Sequence, residues 1–388
     1  MKKILIVNNN MQMGGVQKSL YNLLWALDAT EEYDVTLLLF SHSGPYADDL
    51  PPRVRVMTCD GPFRLFGKSQ GECRGVEALW RGLLAAVSRV LGRDAAVRLM
   101  LPWQKRLPDT YDVAVAFLHN GRREAFYGGV QDYVLHRVSA VRKVAFLHGD
   151  YQRCGADHPA NHRMLARFDR IAACSDGCAQ SLVAALPHLA GKCMTVPNCH
   201  RYDAIRRLAQ EPIAPYAPAT VHAVAVARLT HEKGLERAIA AVAQARAQGT
   251  PLTVHLVGDG PLRDTLQQQA ADSGVTDYVI FHGSQINPYP YIRQADVLVV
   301  PSHHEAAPMV IDEAVSLGIP VLTTATTSAK EMVPDRGAGW VCINTDEAFV
   351  HVLCRIAADP ASLRSVSRCA TPATNEAALT GWDTLMRF

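Results

Sequence analysis

The chain has 388 residues, of which 48% are hydrophobic and 20% charged, with a formal net charge of +2. This composition is typical of a folded globular protein and excludes a disordered chain, and so small a charge predicts no nucleic-acid partner. The length exceeds that of most single domains, so we expect two. No stretch approaches the roughly 20 apolar residues that span a bilayer, which favours a cytoplasmic protein.

The first half of the chain alternates short apolar runs with helical patterns. Gly15–Leu27 is the first predicted helix, because its leucines recur on one face. Such alternation predicts βαβ units around a parallel sheet. Strands are predicted at Lys3–Asn8, Val35–Phe40, Val54–Thr58, Val113–Leu118, Lys143–Leu147, Arg170–Ala173 and Met194–Pro197.

A linker follows, because the prolines of EPIAPYAPAT at 211–220 fit neither a helix interior nor a central strand. The alternation then resumes with helices predicted at Leu235–Gln248 and Pro261–Asp272. The sequence predicts two doubly wound, Rossmann-like α/β domains, 1–205 and 221–370, joined by a linker at 206–220 and facing one another across a cleft. Strands of the second domain are predicted at Val221–Ala227, Leu252–Val257, Tyr278–Phe281, Val297–Val300, Val321–Thr323 and Gly339–Ile343.

Two glutamates flank a predicted helix start near the carboxyl end of a strand, where such sheets bind ligands. Glu305 and Glu313 stand eight residues apart, Pro308 suits the first helical position and Gly318 suits the end. The N–H groups at such a start attract anions. If the segment were helical throughout, the carboxylates would lie ~12 Å apart. That spacing suits a nucleotide diphospho-sugar, although two acids near a helix start also occur by chance.

Two cations follow the first strand of the second domain in ARLTHEKG. Arg228 offers a bidentate fork and Lys233 a mobile point charge, a suitable pair around a diphosphate. The alternative is that both are solvated surface cations.

Glycine-containing loops follow three of the strands. Gly14 and Gly15 would let a ligand approach the first helix closely, but they do not form G-x-G-x-x-G, which argues against NAD. Gly258 in VGDGPL is predicted to be mainly structural, with a secondary backbone contact to a nucleotide. His282 and Gly283, in FHGSQ, would frame a flat base.

His148 is the histidine most typical of a functional residue. It ends the apolar strand of KVAFLHGDY, so we expect it to project into the cleft, and His119 has a similar but weaker position. His303 and His304 are neighbours whose side chains point apart, and no carboxylate set supports them. We therefore predict no metal site.

Taken together, these motifs resemble the retaining GT-B-fold glycosyltransferases of family four, the glycogen-synthase-like group. The resemblance covers essentially the whole chain, and its pieces are Gly14-Gly15, the FLHGD histidine, ARLTHEKG, VGDGPL and E-x7-E with EAVSLGIPVL. It implies that the second domain binds the nucleotide sugar and the first the acceptor. It further implies a C-terminal helix, 371–388, that crosses back to the first domain through Trp382 and Phe388.

The resemblance also implies roles for single residues. Arg228 and Lys233 would hold the diphosphate, together with the N–H groups of Met309 and Val310. No cofactor or metal would be needed, and we expect a UDP-sugar rather than a GDP-sugar as the donor. The donor would pass its sugar to a glycan or lipid-linked acceptor in surface-polysaccharide or glycolipid assembly.

The remaining implied roles concern the sugar and the ribose. Glu313 would accept hydrogen bonds from ribose hydroxyls and Glu305 from the transferred sugar. Gly15 would close over the phosphates, and His148 would lie near the reacting face of the sugar. The leaving diphosphate would help to deprotonate the acceptor, so no strong protein nucleophile is required. Ala306 departs from the family, which usually has glycine there. The predicted catalytic residues are His148, Glu305, Arg228 and Lys233.

Residues 64–106 form a basic, partly amphipathic segment with nine Lys or Arg against three Asp or Glu. Its apolar residues form a set that recurs at helical spacing, which would suit a helix lying on the anionic inner surface of the membrane. The alternative is an ordinary helix whose apolar face covers the core. The set comprises Trp80, Leu83, Leu84, Val87, Val90 and Leu91.

Two other functions fit the same motifs. A nucleotide-sugar epimerase on this fold would convert its donor without an acceptor. A transferase-like binding protein would bind the donor tightly without turnover, and Ala306 is the sequence feature that favours it.

Overall fold

The computed structural model describes residues 1–369 and 374–387 and divides into two compact units. The first unit comprises residues 1–199 and 375–387, and the second comprises residues 200–369 with Thr374. Each unit contains one parallel sheet, with helices between most successive strands. The predicted doubly wound α/β fold is therefore confirmed for each unit.

The first unit is built around seven parallel strands. Its strands are β1 (Lys2–Asn8), β2 (Tyr33–Leu39), β3 (Arg55–Thr58), β4 (Thr110–Ala116), β5 (Ser139–Leu147), β6 (Arg170–Ala173) and β7 (Cys193–Thr195). Its helices are α1 (Gly15–Thr30), α2 (Gly75–Leu91), α3 (Arg93–Met100), α4 (Val130–Arg137), α5 (Pro159–Leu165), α6 (Asp176–Ala185) and, at the C-terminus, α15 (Glu376–Arg387).

The second unit is built around six parallel strands. Its strands are β8 (Val221–Val226), β9 (Leu252–Val257), β10 (Val279–Gly283), β11 (Val297–Val300), β12 (Val321–Thr324) and β13 (Gly339–Cys342). Its helices are α7 (Tyr202–Leu208), α8 (Leu235–Ala247), α9 (Arg263–Asp272), α10 (Tyr289–Gln294), α11 (Met309–Ser316), α12 (Ala329–Met332), α13 (Asp346–Ala358) and α14 (Pro360–Cys369).

Each sheet has a point at which the strand order reverses. The orders are β3-β2-β1-β4-β5-β6-β7 and β10-β9-β8-β11-β12-β13. The chain winds outward from β1 in one direction and from β4 in the other, and it does the same from β8 and β11. Loops at the carboxyl ends diverge at these points and leave a crevice where doubly wound sheets bind ligands.

The strands of the second sheet are buried on both faces, which explains their continuous apolar runs. Along β8, Ala223 and Ala225 pack in one core cluster and Val224 in another. Along β11, Val299 and Leu298 divide in the same way. Because successive side chains point to opposite faces, one sheet supports helices on both sides.

The boundary between the units lies at His200, whereas the sequence places it after residue 205. The reason is packing, because Ile205 and Ala209 are buried in a core cluster of the second unit. The linker is also attached there, since the Tyr216 hydroxyl donates to the Tyr291 carbonyl at 3.1 Å.

The C-terminal helix α15 belongs to the first unit. Trp382 on this helix is 0% exposed, and the Lys2 Nζ donates to the carbonyl of Met386 at 2.7 Å. The Tyr33 hydroxyl donates to the carboxylate of Asp383. Of the segment predicted over 371–388, residues 371–373 and Phe388 lie outside the described residues.

Helix α2 has an apolar stripe that faces away from the core of the first unit. Val76, Leu79, Trp80, Leu83 and Val90 are 52–78% exposed. The predicted apolar set is thus divided, because Leu84 is only 2% exposed and Val87 packs against the core. Within residues 1–369 and 374–387, no helix is both long and apolar enough to span a bilayer.

Candidate donor-binding site

The crevice of the second sheet lies between β8 and β11, and half of the predicted site residues follow these two strands. Arg228 and Lys233 follow β8, whereas Glu305 and the start of α11 follow β11. The two loops are joined by their backbones, because the N–H of His303 donates to the Glu232 carbonyl at 2.9 Å. The fold thus brings cations, a carboxylate and a helix start to one edge of the sheet.

Lys233 and Glu305 form an ion pair. The Lys233 Nζ lies 2.5 Å from the Glu305 Oε1, and the Ser302 Oγ donates to the same oxygen at 2.9 Å. Their side chains are 23% and 13% exposed, so the pair is partly desolvated. The Arg228 side chain is 72% exposed and approaches Glu232 only at 4.0 Å, which leaves its guanidinium accessible to an anion.

Helix α11 begins at Met309, one residue later than the predicted first position, Pro308. Residues 305–308 are a loop, so the ~12 Å separation that assumed continuous helix does not apply. Met309 and Val310 are the first two helical residues, and N–H groups at these positions have no acceptor within the helix. Glu313 follows one turn later and is 2% exposed.

Asp312, beside Glu313, anchors α11. Burial alone would raise the pKa of Asp312, yet hydrogen bonding and charge from His200 and Arg336 hold that pKa below its ordinary value. The His200 Nε2 lies 3.3 Å from one carboxylate oxygen and the Arg336 Nη1 2.5 Å from the other. The start of α11 is therefore attached both to the segment after β7 and to the turn before β13.

Arg237, which was not among the predicted site residues, holds the loop after β11. Its side chain on α8 is 3% exposed, and its Nη1 donates to the Pro301 carbonyl and to the Asn344 Oδ1, both at 2.8 Å. Its Nη2 lies 2.9 Å from the His303 Nδ1, and its Nε pairs with Asp346 at 2.7 Å. An arginine within a helical pattern is unremarkable in a sequence, so no local signal distinguishes it.

The turn after β9 supports Arg228. Gly258 has φ +145°, and a Cβ there would lie 1.9 Å from the Ala227 carbonyl oxygen, so only glycine fits. The Leu229 N–H donates to the Asp259 carbonyl at 3.0 Å. Gly258 therefore has a structural role of the kind predicted, and its N–H is already bound to the Gly283 carbonyl at 2.8 Å.

The residues predicted from the first unit lie at the crevice of its own sheet. Gly14 and Gly15 stand at the start of α1, after β1, and a Cβ at Gly15 would meet no atom within 4 Å. The first unit by itself therefore does not require glycine at position 15. His119 follows β4 and His148 follows β5, and the His148 N–H donates to the His119 Nδ1 at 3.3 Å.

His148 has an aromatic environment. Its ring centroid lies 4.6 Å from that of Phe146 and 4.5 Å from that of Phe117. Burial lowers the pKa of His148 to about 3 and that of His119 to about 4, so both rings are neutral at neutral pH. Within the part of the chain described, the buried Nε2 of His148 has no hydrogen-bond partner.

Ala306 fits its loop without strain. Among the described residues, positive φ angles outside glycine occur only at Glu31 and Ala219. The backbone at position 306 therefore does not require glycine, although the family usually has one there. A methyl group at this position adds bulk to the loop without forcing the backbone into a conformation that L-residues avoid.

Comparisons with known proteins agree with this arrangement. Residues 220–371 match the family described as glycosyl transferases group 1. The chain is 26% identical to glycogen synthase of Mycobacterium tuberculosis over 92% of this chain and 86% of that protein. It is 35% identical to the lipopolysaccharide core biosynthesis glycosyltransferase LpsE of Rhizobium meliloti, over 35% of this chain and 39% of that one.

Among solved structures, Anabaena HepE in complex with UDP and glucose is similar over 100% of both chains, with 19% identity and a TM-score of 0.68. At that identity the likeness concerns the fold alone. The family match covers the unit that carries the Lys233–Glu305 pair, and the fold likeness covers both units. Residues 220–371 therefore match the group 1 glycosyl transferases, and the fold of the chain is the GT-B fold.

Proposed function

We propose that the second unit binds a nucleotide diphospho-sugar and that the enzyme transfers the sugar with retention to a glycan or lipid-linked acceptor held by the first unit. The observation that carries the proposal is the partly desolvated Lys233–Glu305 pair at the crevice of the second sheet, beside the start of α11. The solved HepE structure, which is similar over the whole chain, contains UDP, and this supports a nucleotide ligand. Arg228 supplies a second, exposed cation.

The chemistry of sugar transfer suits these groups. Breaking the sugar–phosphate bond develops negative charge on the diphosphate and positive charge on the sugar. Arg228, Lys233 and the first N–H groups of α11 stabilise the negative charge. When the phosphates take over Lys233, the Glu305 carboxylate is released to accept hydrogen bonds from sugar hydroxyls. Ser302 remains as the group that orients Glu305. His148 in the first unit is neutral at neutral pH, so its Nε2, which has no hydrogen-bond partner among the described residues, can accept a hydrogen bond from a hydroxyl group.

The donor site is tested by a charge-removing substitution, Lys233→Met. A charge-assisted hydrogen bond contributes about 1.5–3 kcal/mol, so we expect the dissociation constant of UDP to rise by about 10- to 150-fold. Calorimetric titration measures it, and Arg355→Met, which removes an exposed cation from α13, is the control. If Lys233→Met binds UDP as tightly as the wild type, Lys233 is not a phosphate ligand and the proposed site is wrong.

The proposal also specifies the reaction. The cations already balance the diphosphate charge, so we expect transfer to proceed undiminished in EDTA, and a strict Mg²⁺ or Mn²⁺ requirement would contradict this. The anomeric configuration of the product, read from its NMR coupling constant, tests retention. Conversion of the donor in the absence of any acceptor would instead identify an epimerase. Binding without turnover over a wide acceptor panel would identify a binding protein.

We further propose that α2 attaches the enzyme to an anionic membrane surface, where a lipid-linked acceptor would be found. The exposed stripe of Val76, Leu79, Trp80, Leu83 and Val90 supplies apolar area, and the surrounding segment is basic. Charge and apolar burial thus act together, as amphipathic interfacial helices require.

Flotation with vesicles containing phosphatidylglycerol tests the attachment. We expect the wild type to float at low salt and Leu79→Ser with Trp80→Ser to remain at the bottom. Val141→Ser is the control, because Val141 is 74% exposed on β5, outside the stripe. If the wild type does not float at low salt, the membrane proposal is wrong while the donor proposal stands.

A further inference from the structure

Three histidines on adjacent strands of the second sheet form a hydrogen-bonded chain. The Nδ1 of His222 on β8 lies 2.9 Å from the Nε2 of His255 on β9. The Nδ1 of His255 lies 2.9 Å from the Nε2 of His282 on β10. At the other end, the His222 Nε2 lies 2.7 Å from the carbonyl oxygen of Ala217 in the linker. The histidine chain therefore runs from the linker to the carboxyl end of β10.

The Ala217 carbonyl determines where the protons lie. A carbonyl oxygen only accepts, so the Nε2 of His222 carries a hydrogen, and in a singly protonated ring its Nδ1 accepts one. The His255 Nε2 must then donate, and its Nδ1 must accept from the His282 Nε2. Burial lowers the pKa of His255 to about 3, and it also lowers that of His282. With neutral rings a single arrangement satisfies every contact, and it leaves the Nδ1 of His282 as an acceptor.

The surroundings hold these rings in place. His282 is the extra residue of a β-bulge, because Phe281 pairs with Leu256 while Gly283 pairs with Val257. The bulge changes the direction of the strand at its carboxyl end. The ring of Tyr216 stacks on the histidine chain, and the ring of Tyr291 packs against it at an interplanar angle of 56°. The Tyr216 ring lies 3.7 Å from the ring of His255 and the Tyr291 ring 4.5 Å from that of His282.

His282 stands at the side of the donor site where a base is expected. The phosphate-binding cations follow β8, and β10 lies two strands away, about 10 Å at the usual strand spacing. A ribose separates a nucleobase from its diphosphate over a comparable span. Of the three histidines, His282 is the one that a ligand can reach, because it is half-buried whereas His222 and His255 are only 6% and 5% exposed.

We propose that His282 selects the nucleobase by accepting a hydrogen bond from a ring N–H, and that His222 and His255 are positioning residues that hold His282 in its accepting form. The inference rests on the proposed donor site. Uracil and guanine have such a ring N–H, whereas cytosine and adenine have a lone pair at the corresponding position. With cytosine, the lone pair of the base would face the lone pair of the His282 Nδ1, so two acceptors would oppose one another. Removing this repulsion would require a proton shift along all three histidine rings.

Two measurements test the proposal in the whole protein. Long-range ¹H–¹⁵N spectra of histidine-labelled wild type report the tautomer of each ring, and we expect Nε2–H for His282, His255 and His222 at neutral pH. Calorimetric titrations then compare the affinity of UDP with that of CDP, and the affinity of GDP with that of ADP. In each pair the first base has a ring N–H and the second has a lone pair at the corresponding position. The variants are His282→Phe and His255→Phe, with the exposed His351→Phe on α13 as the control.

We expect His282→Phe to lower the UDP-to-CDP affinity ratio about tenfold, the value of one hydrogen bond lost from the discrimination. His255→Phe leaves His282 in place but removes the group that fixes its tautomer, so the ratio falls to an intermediate value, and His351→Phe does not change it. An unchanged ratio in His282→Phe, or an Nδ1–H tautomer at His282 in the wild type, overturns the inference while the donor site stands. If no nucleoside diphosphate binds the wild type, the proposed function itself fails, and the inference fails with it.

Discussion

Replacing Arg237 with leucine should disturb the donor site without removing any group expected to touch the donor. The guanidinium satisfies the buried carbonyl of Pro301 and the side chains of Asn344 and His303. Each partner left unpaired costs about 1–3 kcal/mol. The pair with Asp346 adds at most about 1 kcal/mol, because that carboxylate is 65% exposed. We expect the free energy of unfolding to fall by about 3–5 kcal/mol, from a typical total of about 5–15 kcal/mol.

The same variant should weaken donor binding, since Pro301 and His303 lie just before Glu305 and the start of α11. We expect the dissociation constant of UDP to rise by about tenfold or more, because a loosened loop must be ordered again on binding. Urea denaturation gives the stability, hydrogen exchange shows where the loosening occurs, and calorimetry gives the affinity.

Arg246→Leu is the matched control on the same helix. Arg246 stacks on the ring of Tyr278 at 3.5 Å and donates to the Leu252 carbonyl at 3.1 Å, contacts that do not involve the loop after β11. It should lower stability but leave the affinity for UDP unchanged. If the two variants lower stability and affinity in the same proportion, Arg237 has no special role in holding the loop.

Two further predictions concern the first unit. Trp382→Ala should lower the free energy of unfolding by about 3–5 kcal/mol, because the Trp382 side chain is 0% exposed. The control Trp103→Ala, at 80% exposure, should change it by no more than about 0.5 kcal/mol. Urea denaturation measures both, and equal effects would contradict the docking of α15. The pKa values of His119 and His148, about 4 and about 3, lie below the ordinary value of 6.5, so the unfolded chain binds protons that the folded chain does not. The contribution of these two histidines to stability should be constant above about pH 6.5 and fall as the pH drops towards 4, by about 1.4 kcal/mol per pH unit for each histidine. Denaturation at several pH values should show a smaller slope in His148→Gln, and an unchanged slope would exclude His148 as a source of the acid sensitivity.

Much of the architecture can be predicted from the sequence, because its signals are local. The strand Leu252–Val257 was predicted with the bounds that the structure gives, and the helix at Gly15 with its first residue. Apolar runs, helical periodicity, glycine and proline act on the residues beside them. The alternation of strands and helices then leaves few topologies, and the doubly wound order places Arg228 and Glu305 at one crevice.

The tertiary structure alone decided how those groups are held. Arg237 meets Asp346 from a distance of 109 residues along the chain, and Lys233 meets Glu305 from 72. The histidine chain depends on a bulge in β10, and the exposure of the α2 stripe depends on which face the core occupies. Such features arise from packing between segments that are distant in the sequence. Single-residue preferences and periodicity carry no information about that packing. The strands, the helices and the residues available for chemistry follow from local sequence, whereas the folded chain decides which of those residues meet.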